Sequence, residues 1–513
     1  MFKLKTLAVF IGFLIVAPSL AYAQASIAGV VRDASGAVLP GVTVEATSPA
    51  LIEKVRTVTT DGSGQYRLEN LRPGAYVVTF VLPGFSTVRR EGVELSGTFV
   101  ANINAEMRVG GLEETITVTG ASPVVDVQSA NRERVLTAET MNNAPVNRVP
   151  SLMAAMIPGV TNPTVDVGGN TGSPVVGGGS VSVRGSRSTD LEMLRNGVSV
   201  STIETGSNTQ GVPNMAVFAE MAVETATVST EERGSGVRMN FIPREGGNDF
   251  SGMLIASFTN EALAGDNFTD ELRARGLRTP NNLKRSVEIN PAFGGPIRRD
   301  RVWFFGTGLY NATQNWVAGM FVNRNKFNPA SFAYDPDPNQ QAFTDIETRN
   351  MAGRVTWQVN PTHKLAFLYE NTYTCQCPTT TTATVAEESG QPQRYWPNGG
   401  WGIDYSAPLT SRLLFEAVVY HRYINTRRLH PAGLPDVGDS LEDVVAYNRD
   451  AISKNLIGVQ DQGLGITHHA NTASAMRNQS QDTPFRATMS YVTGPTPSRL
   501  GCPMPSARSR TSS

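Results

Sequence analysis

Strand-like segments separated by alternately short and long connections fill residues 251–494, and this alternation restricts the fold more than any other feature. We predict eight strands, near residues 252–259, 285–293, 302–310, 351–359, 364–373, 402–406, 412–423 and 484–493. Short connections at residues 294–301, 360–363 and 407–411 alternate with long ones at residues 260–284, 311–350, 374–401 and 424–483. Short turns on one side and long loops on the other are typical of a transmembrane antiparallel β-barrel. A soluble β-sandwich would not require connections of this length.

The side chains of these segments alternate as expected for a wall between lipid and a lumen. In residues 354–359 the apolar side chains would face lipid, and the polar ones would face the lumen. Leu365, Phe367 and Tyr369 follow the same rule. The residues predicted to form aromatic girdles at the membrane boundaries are Trp303, Trp357, Tyr369 and Tyr373. Residues 413–420 alternate poorly, so the register of that strand stays open.

The N-terminus carries an export signal. Lys3 and Lys5 precede an apolar run at residues 7–16, and Ala21-Tyr22-Ala23 is a small-residue cleavage site. This pattern predicts a secretory signal peptide at residues 1–23. Its apolar run is too short to cross a bilayer as a helix, and no later stretch reaches about 18 apolar residues. Since only helices and closed barrels satisfy their backbone in lipid, strands would have to span the membrane, and we predict the cell outer membrane as the location.

Charge and cysteine content exclude several functions. The 44 Lys and Arg residues nearly balance the 45 Asp and Glu residues, so no basic surface for nucleic acid is predicted. The three cysteines, Cys375, Cys377 and Cys502, are too few for a disulfide framework. Cys375 and Cys377 could hold a metal ion or form a local disulfide, but the sequence favours their being ordinary loop residues.

Residues 24–108 predict a small β-sandwich, because short strands are separated by turns such as Asp61-Gly62-Ser63-Gly64 and Arg72-Pro73-Gly74. Together with Pro40-Gly41-Val42, these motifs resemble the carboxypeptidase regulatory-like domain, which has a transthyretin-like, carbohydrate-binding-like fold. The resemblance implies no peptidase, since the chain has no His-Glu-x-x-His motif. A spacer or docking module is favoured over a sugar-binding one.

A short strand within a glycine-flanked linker, residues 109–120, follows the sandwich. Glu113-Glu114-Thr115-Ile116-Thr117-Val118-Thr119 alternates apolar and hydroxyl side chains, which favours an extended conformation. A lone strand of this kind could pair through its backbone with the sheet edge of another protein. The alternative is that it forms one more strand of the sandwich.

Residues 121–250 combine a helical pattern at residues 136–156, divided by Pro145 and Pro150, with several strands and turns. A strand ends at Arg184-Gly185, Asn196-Gly197 makes a tight turn, and Gly246-Gly247-Asn248-Asp249-Phe250-Ser251-Gly252 closes the region. These motifs resemble the plug domain of TonB-dependent outer-membrane receptors. Asn196 stands where that family usually has Asp. With the preceding sandwich, the combination resembles the Oar-like branch.

The resemblance implies a function and partners. The strand residues Glu114, Thr115, Ile116, Thr117, Val118 and Thr119 would form the TonB box, which a periplasmic, inner-membrane-anchored TonB-type energy-transducing protein grips. The chain would then take up an unidentified extracellular ligand, driven by the proton-motive force. The alternative function is a cell-surface carbohydrate-binding or adhesion protein.

The fold class is therefore mainly β: a transthyretin-like sandwich, an α+β plug and about eight strands of a transmembrane barrel. Receptors of this kind close with about 22 strands, so we expect an incomplete barrel. Residues 495–513 lack strand character. Codons for residues 495–501, read one nucleotide out of phase, can encode a continuation of the barrel, so we expect that a frameshift shortened the chain.

Candidate site residues are few. Arg184 is predicted to hold the plug to lumenal carboxylates such as Glu370 or Glu416, because a buried arginine needs a partner. No catalytic constellation, cofactor motif or metal site is predicted. Asp335, Asp337 and Asn339 have the spacing of half a calcium loop, but Gln340 and Ile346 replace its glycine and glutamate. His430, His468 and His469 are better explained as loop residues than as metal ligands.

Overall fold

A computed structural model describes most of the chain. The described residues are 25–48, 51, 55–71, 74–95, 100–110, 115–119, 133–144, 146, 148–162, 181–183, 185–187, 190–201, 214–225, 236–265, 268–360, 362–378, 381–390, 392–410, 413–428, 441–470, 476–492, 497–504 and 507–512. The predicted signal peptide lies outside them, as does Arg184.

The N-terminal region is the predicted sandwich. Its strands are β1 (Ala25–Asp33), β2 (Thr43–Thr47), β3 (Val55–Thr59), β4 (Gln65–Leu71), β5 (Gly74–Val81), β6 (Thr87–Leu95), β7 (Val100–Asn102), β8 (Ala105–Met107) and β9 (Thr115–Thr119). One sheet has the order β4-β1-β7, with β8 also paired to β1, and the other has the order β3-β2-β5-β6-β9.

Alternating side chains of both sheets form the sandwich core. On β5, Tyr76, Val78 and Phe80 are buried, as the period of two residues in a half-buried strand requires. The ring of Tyr66 meets Phe80 edge to face at 5.4 Å, and its hydroxyl donates a hydrogen bond to the Ile103 carbonyl at 2.7 Å. The buried hydroxyl is thereby satisfied.

The strand predicted to be unpaired is paired. β9 lies parallel to β6, with Thr115 opposite Thr87 and Thr119 opposite Glu91. The expectation of a lone strand is therefore wrong, and the alternative, an additional strand of the sandwich, describes the structure. The physical reason is that the edge of β6 offers unpaired backbone groups within reach of the linker.

The plug is an α+β unit around one five-stranded sheet. Its strands are β10 (Glu133–Thr137), β11 (Val160–Thr161), β12 (Ser182–Val183), β13 (Glu192–Arg195), β14 (Val198–Ser199), β15 (Phe218–Glu224) and β16 (Arg238–Pro243). The sheet order is β10-β15-β16-β13-β14, and β11 pairs with β12. Two helices, α1 (Ala138–Asn143) and α2 (Pro150–Ala154), and a 3₁₀ turn (Met215–Val217) accompany it.

Local sequence explains where the two plug helices begin. The Thr137 hydroxyl accepts a hydrogen bond from the Thr140 amide and caps α1. Pro150 occupies the first turn of α2, where its missing N–H costs nothing. The prolines therefore divide the helical pattern into two short helices, as the sequence indicates.

The rest of the chain is a curved wall sheet. Its strands are β17 (Ser251–Asn260), β18 (Leu283–Arg298), β19 (Val302–Asn323), β20 (Pro336–Gln358), β21 (Lys364–Gln376), β22 (Gln393–Thr410), β23 (Leu413–Arg428), β26 (Met476–Asp482), β27 (Phe485–Val492), β28 (Pro497–Met504) and β29 (Ala507–Ser512). Each pairs antiparallel with its neighbour from β17 to β23. The connections carry β24 (Val459–Asp461), β25 (Ile466–His468), α3 (Asp270–Ala274), α4 (Leu441–Ser453) and 3₁₀ turns at Glu261–Leu263 and Glu387–Ser389.

The eighth wall strand is broken in two. β26 pairs with the C-terminal half of β23 and β27 with its N-terminal half. Asp482 therefore lies opposite Arg422, and Phe485 lies opposite Val419. The break falls at Pro484, which has no N–H but whose carbonyl accepts a hydrogen bond from the Tyr420 amide. β26 and β27 are thus the strand predicted near residues 484–493, extended at its N-terminal side.

The predicted lack of strand structure in the tail is wrong. β28 pairs with β27, and β29 pairs with β26. Backbone pairing on an open sheet edge does not depend on side-chain pattern, so residues of poor strand propensity can add to it.

The alternation of short turns and long connections is confirmed, but the predicted strands are shorter than the observed ones. Residues 299–301, 359–363 and 411–412 separate consecutive strands on one side, whereas residues 429–475 separate β23 from β26 on the other. β19 has 22 residues and β20 has 23, so most of the predicted loop at residues 311–350 is strand. A wall strand needs only about 10 residues to cross the membrane, so the extra length projects beyond it, where no lipid pattern marks it in the sequence.

Most side chains face the predicted side. Val355 and Trp357 are 41% and 47% exposed on the outer face, while Arg354 and Thr356 are buried on the inner face. Trp303, predicted for a girdle, instead faces inward and is 2% exposed. The inner face is partly apolar because the plug covers it, and this also explains why residues 413–420 alternate poorly by sequence but regularly by burial. Among the described residues, no helix is long and apolar enough to cross a membrane.

Candidate functional site: the plug against the wall

A tight hairpin turn brings the plug to the wall. β13 and β14 are joined by Asn196 and Gly197, whose φ angles are +47° and +73°. Both residues therefore lie in the left-handed region, as a type I′ turn requires and as the Asn-Gly dipeptide predicts. The turn places the side chains of Arg195 and Asn196 against the inner face of β21, β22 and β23.

Arg195 is the centre of the first polar group. Its guanidinium donates two hydrogen bonds to the Glu370 carboxylate, at 3.0 and 2.9 Å, and one to the Tyr420 hydroxyl, at 2.9 Å. The Tyr420 hydroxyl in turn donates to Glu370 at 2.7 Å. Burial is the largest single influence and disfavours the charged guanidinium, but the combined attraction of Glu370, Tyr420 and Asp404 outweighs it, and the pKa of Arg195 is raised. Arg195 is therefore a cation held in place by a wall carboxylate.

A second polar group lies beside the first. Asn196 donates a hydrogen bond to Asp404 at 3.0 Å, and Arg354 lies 2.7 Å from the same carboxylate. Arg354 also contacts Glu245, at 3.2 Å, and Lys364 lies 2.8 Å from Glu245. Glu245 follows β16 of the plug, whereas Arg354, Lys364 and Asp404 belong to the wall. The β13–β14 turn and the segment that follows β16 are thus joined to the wall by one polar network.

Arg422 makes a third connection, to plug backbone. Its side chain pairs with Asp482 through two hydrogen bonds, at 2.9 and 3.0 Å. It also donates to the carbonyls of Val200 and Ser201, which follow β14. A buried guanidinium that satisfies both a carboxylate and two carbonyls holds the plug loop without depending on a particular plug side chain.

The closing motif of the plug contacts the second and third wall strands, β18 and β19, and the turn between them. The Asn248 side chain accepts hydrogen bonds from the Asp300 amide and the Trp303 indole, at 2.9 and 2.7 Å. A Cβ on Gly246 would lie 2.3 Å from the Phe304 carbonyl oxygen, so only glycine fits there. The indole partner explains why Trp303 faces inward, and the motif acts as the joint between plug and wall.

The predicted site residues are only partly brought together. Arg184 lies outside the described residues, and the plug arginine at Glu370 is Arg195. Glu416 is buried on the inner face of β23. Strand alternation is the one usable signal for the site residues outside the predicted set, because it predicts that Arg354, which pairs with Asp404, faces the lumen. Arg195 ends an apolar strand directly before a turn, a position from which a charge must find a partner.

A second cluster joins the outer connections. Glu388 accepts hydrogen bonds from the Asn323 side chain, at 2.8 Å, and from the His469 amide, at 3.1 Å. The two imidazole nitrogens of His469 contact the carbonyls of Ile457 and Asn328. Burial lowers the pKa of the neighbouring His468. These contacts serve packing of the loops, and His430 lies outside the described residues.

Other candidate ligands are also occupied. Asp335 and Asp337, of the incomplete calcium loop, both pair with Arg324. Cys375 and Cys377 form a disulfide, so the favoured interpretation of them as ordinary loop residues is wrong. Within the described part of the chain, no group of three or more His, Cys, Asp or Glu residues is arranged to hold a metal ion.

Comparison with known proteins agrees with this architecture. Residues 26–108 match the carboxypeptidase regulatory-like domain, and residues 126–237 match the TonB-dependent receptor plug domain. The chain therefore combines the two domains in one order: a carboxypeptidase regulatory-like domain followed by the plug domain of TonB-dependent receptors. TonB-dependent receptors are outer-membrane proteins that work with TonB-type energy transducers and bind extracellular ligands.

Among individual relatives, the TonB-dependent transporter Oar of Myxococcus xanthus is 26% identical over 382 residues. The match covers 69% of this chain and 34% of Oar, so the chain spans about a third of the length of that relative. A ferric enterobactin receptor of Pseudomonas aeruginosa is 13% identical, with a TM-score of 0.45, over 71% of this chain and 47% of its own. The outer membrane transporter YddB of Escherichia coli is 11% identical, with a TM-score of 0.44, over 71% of this chain and 46% of its own.

Proposed function

We propose that the chain acts in the outer membrane as part of a TonB-dependent transporter that takes up an extracellular ligand, driven by the proton-motive force. The observation that carries this proposal is the plug held against the inner face of the wall by Arg195 and Glu370. A plug in this position would close the lumen of a complete barrel. Transport requires that the contact open and close again, and water can replace the lost hydrogen bonds of the charged groups when it opens.

The grip for the transducer would be the strand Glu114–Thr119, whose residues Thr115–Thr119 form β9. Backbone pairing supplies most of the affinity in strand addition, so little side-chain specialisation is needed. Force on this strand would act on residues 120–132 and then on β10, which is the edge strand of the plug sheet. An edge strand is held by one neighbour only, so it is the first part of the plug that a pull would disturb.

The carbohydrate-binding alternative has less support. Protein surfaces that bind sugars commonly use exposed aromatic rings, but the described aromatic residues of the sandwich are buried or half-buried: Tyr66, Tyr76, Phe80 and Phe85.

The experiment compares two substitutions of Thr117 in the full chain, with the periplasmic domain of the TonB-type protein from the same bacterium as the probe. Thr117→Pro removes a backbone donor and fixes φ, so we expect at least a tenfold loss of affinity in a biolayer interferometry measurement. Thr117→Val keeps the backbone and the strand propensity, and we expect its affinity to stay within threefold of the unmodified chain. Equal binding by both variants would refute the assignment of the grip.

A further inference from the structure

The proposed function gives the sandwich no role of its own. The sandwich nevertheless holds β9, the grip strand, which is the segment proposed to bind the transducer. β9 pairs with β6 along five residues, from Thr115 opposite Thr87 to Thr119 opposite Glu91. The pairing ends where β6 reaches Gly92, whose φ of +74° bends the backbone away. The segment is therefore not a free linker but the last strand of a five-stranded sheet.

The two sides of β9 differ. Successive backbone N–H and C=O groups in a strand point to opposite neighbours, so pairing with β6 uses one row of them. The sheet order ends at β9, so the other row faces away from the sheet. A strand from another protein can pair with this second row while the first row stays bonded to β6.

The charges along the two strands support this arrangement. β6 carries Arg89, Arg90 and Glu91 in the paired stretch, and Arg89 and Glu91 form an exposed ion pair at 3.0 Å. Charged residues on an edge strand discourage pairing with arbitrary partners. β9 has the sequence Thr-Ile-Thr-Val-Thr, without a charge, and is the strand that stays at the edge. Among the strands that the structure describes, β9 thus ends its sheet with a sequence that has no charged residue to discourage a partner strand.

We propose that the sandwich is a presentation platform: β6 holds the grip strand in an extended conformation, and the transducer adds a strand to the outer edge of β9 without displacing it. This inference rests on the proposed function of residues 114–119. Ordering a flexible segment costs conformational entropy, and a strand that is already extended on β6 has met that cost before the partner arrives. The competing arrangement is a clamp, in which β6 must release β9 before the transducer can bind.

A disulfide between β6 and β9 distinguishes the two arrangements. Arg89 and Thr117 lie opposite each other, and neighbouring strands are about 4.8 Å apart, within the Cα separation that a disulfide spans. The double variant Arg89→Cys/Thr117→Cys is made in the full chain with Cys375, Cys377 and Cys502 replaced by serine. Its affinity for the periplasmic domain of the TonB-type protein is measured after oxidation and again after reduction.

We expect the oxidised form to bind within fivefold of the reduced form, because the outer edge of β9 stays available. A loss greater than fivefold on oxidation, restored by reductant, would establish the clamp and overturn the platform. Failure of the two cysteines to form a disulfide would overturn the pairing itself. If the reduced form and the unmodified chain both fail to bind, the proposed function is wrong. The comparison of Thr117→Pro with Thr117→Val tests that function separately from the platform.

Discussion

The sandwich and the plug are both small β-rich units, but they are stabilised in different ways. The buried apolar cluster of the sandwich consists only of residues between Ile27 and Met107. The corresponding cluster of the plug includes four wall residues, Ala352, Leu368, Val418 and Tyr420. The sandwich therefore completes its own core, whereas the plug closes its core only against the wall and adds charged contacts there. Under the proposed function the plug must move, and an interface that can open and close suits it. The proposed role of the sandwich is to present a strand, which requires a rigid unit.

The largest effect should come from breaking the charged contact of the plug. Arg195→Ala leaves the Glu370 carboxylate buried beside Tyr420 without its cation, and loss of one partner of a buried pair costs about 3–5 kcal/mol. Hydrogen exchange of the β13 and β14 amides in the full chain should show a decrease of this size in opening free energy, while the sandwich amides stay unchanged.

The control is Glu271→Ala, which removes an exposed ion pair of 2.6 Å between Glu271 of helix α3 and Arg275, and it should change stability by less than about 1 kcal/mol. The triple variant Arg195→Met/Glu370→Met/Tyr420→Phe removes all three polar groups together. Since apolar replacement of a whole buried network is often neutral, it should recover most of the loss. If the β13 and β14 amides of the triple variant exchange as fast as those of Arg195→Ala, an unpaired buried charge is not the reason for the loss of stability.

A somewhat smaller effect is expected in the sandwich, and it should stay there. Leu68→Ala removes a fully buried side chain, which costs about 2–5 kcal/mol in comparable cores. Because the two apolar clusters share no residue, amide exchange should accelerate in β1 to β6 but not in β13 to β16. Parallel acceleration in both units would contradict their independence.

The smallest effect tests the turn that carries Arg195. Gly197→Ala forces an L-residue to adopt a φ of +73°, which costs about 1–2 kcal/mol. The new Cβ would also lie 2.6 Å from the side chain of Arg486, which is flexible. Gly62→Ala is the control, because that sandwich glycine has no positive φ and no neighbour within 4 Å of a Cβ. Exchange at the β13–β14 turn should accelerate in the first variant and stay unchanged in the second. Equal exchange rates in the two variants would show that the turn does not constrain the position of Arg195.

Sequence reasoning was most accurate where a pattern is local. The Asn196-Gly197 turn, the division of the plug helices by Pro150 and the outward position of Trp357 all follow from short-range rules, and the structure agrees with each. It was least accurate where a distant partner decides the outcome. Trp303 looks like a girdle residue until the Asn248 side chain, 55 positions away, is seen to accept a hydrogen bond from its indole.

What the sequence alone determined is the order of units, the alternation of turns and loops, and the side of the wall that most residues face, because strand period and turn chemistry are properties of neighbouring residues. Which charges meet depends on the tertiary fold. Arg195 and Glu370 are 175 positions apart, and no local rule pairs them. The pairing of β9 with β6, the burial of Trp303 and the strands of the tail likewise depend on which backbone edge or polar group is left open when the chain folds.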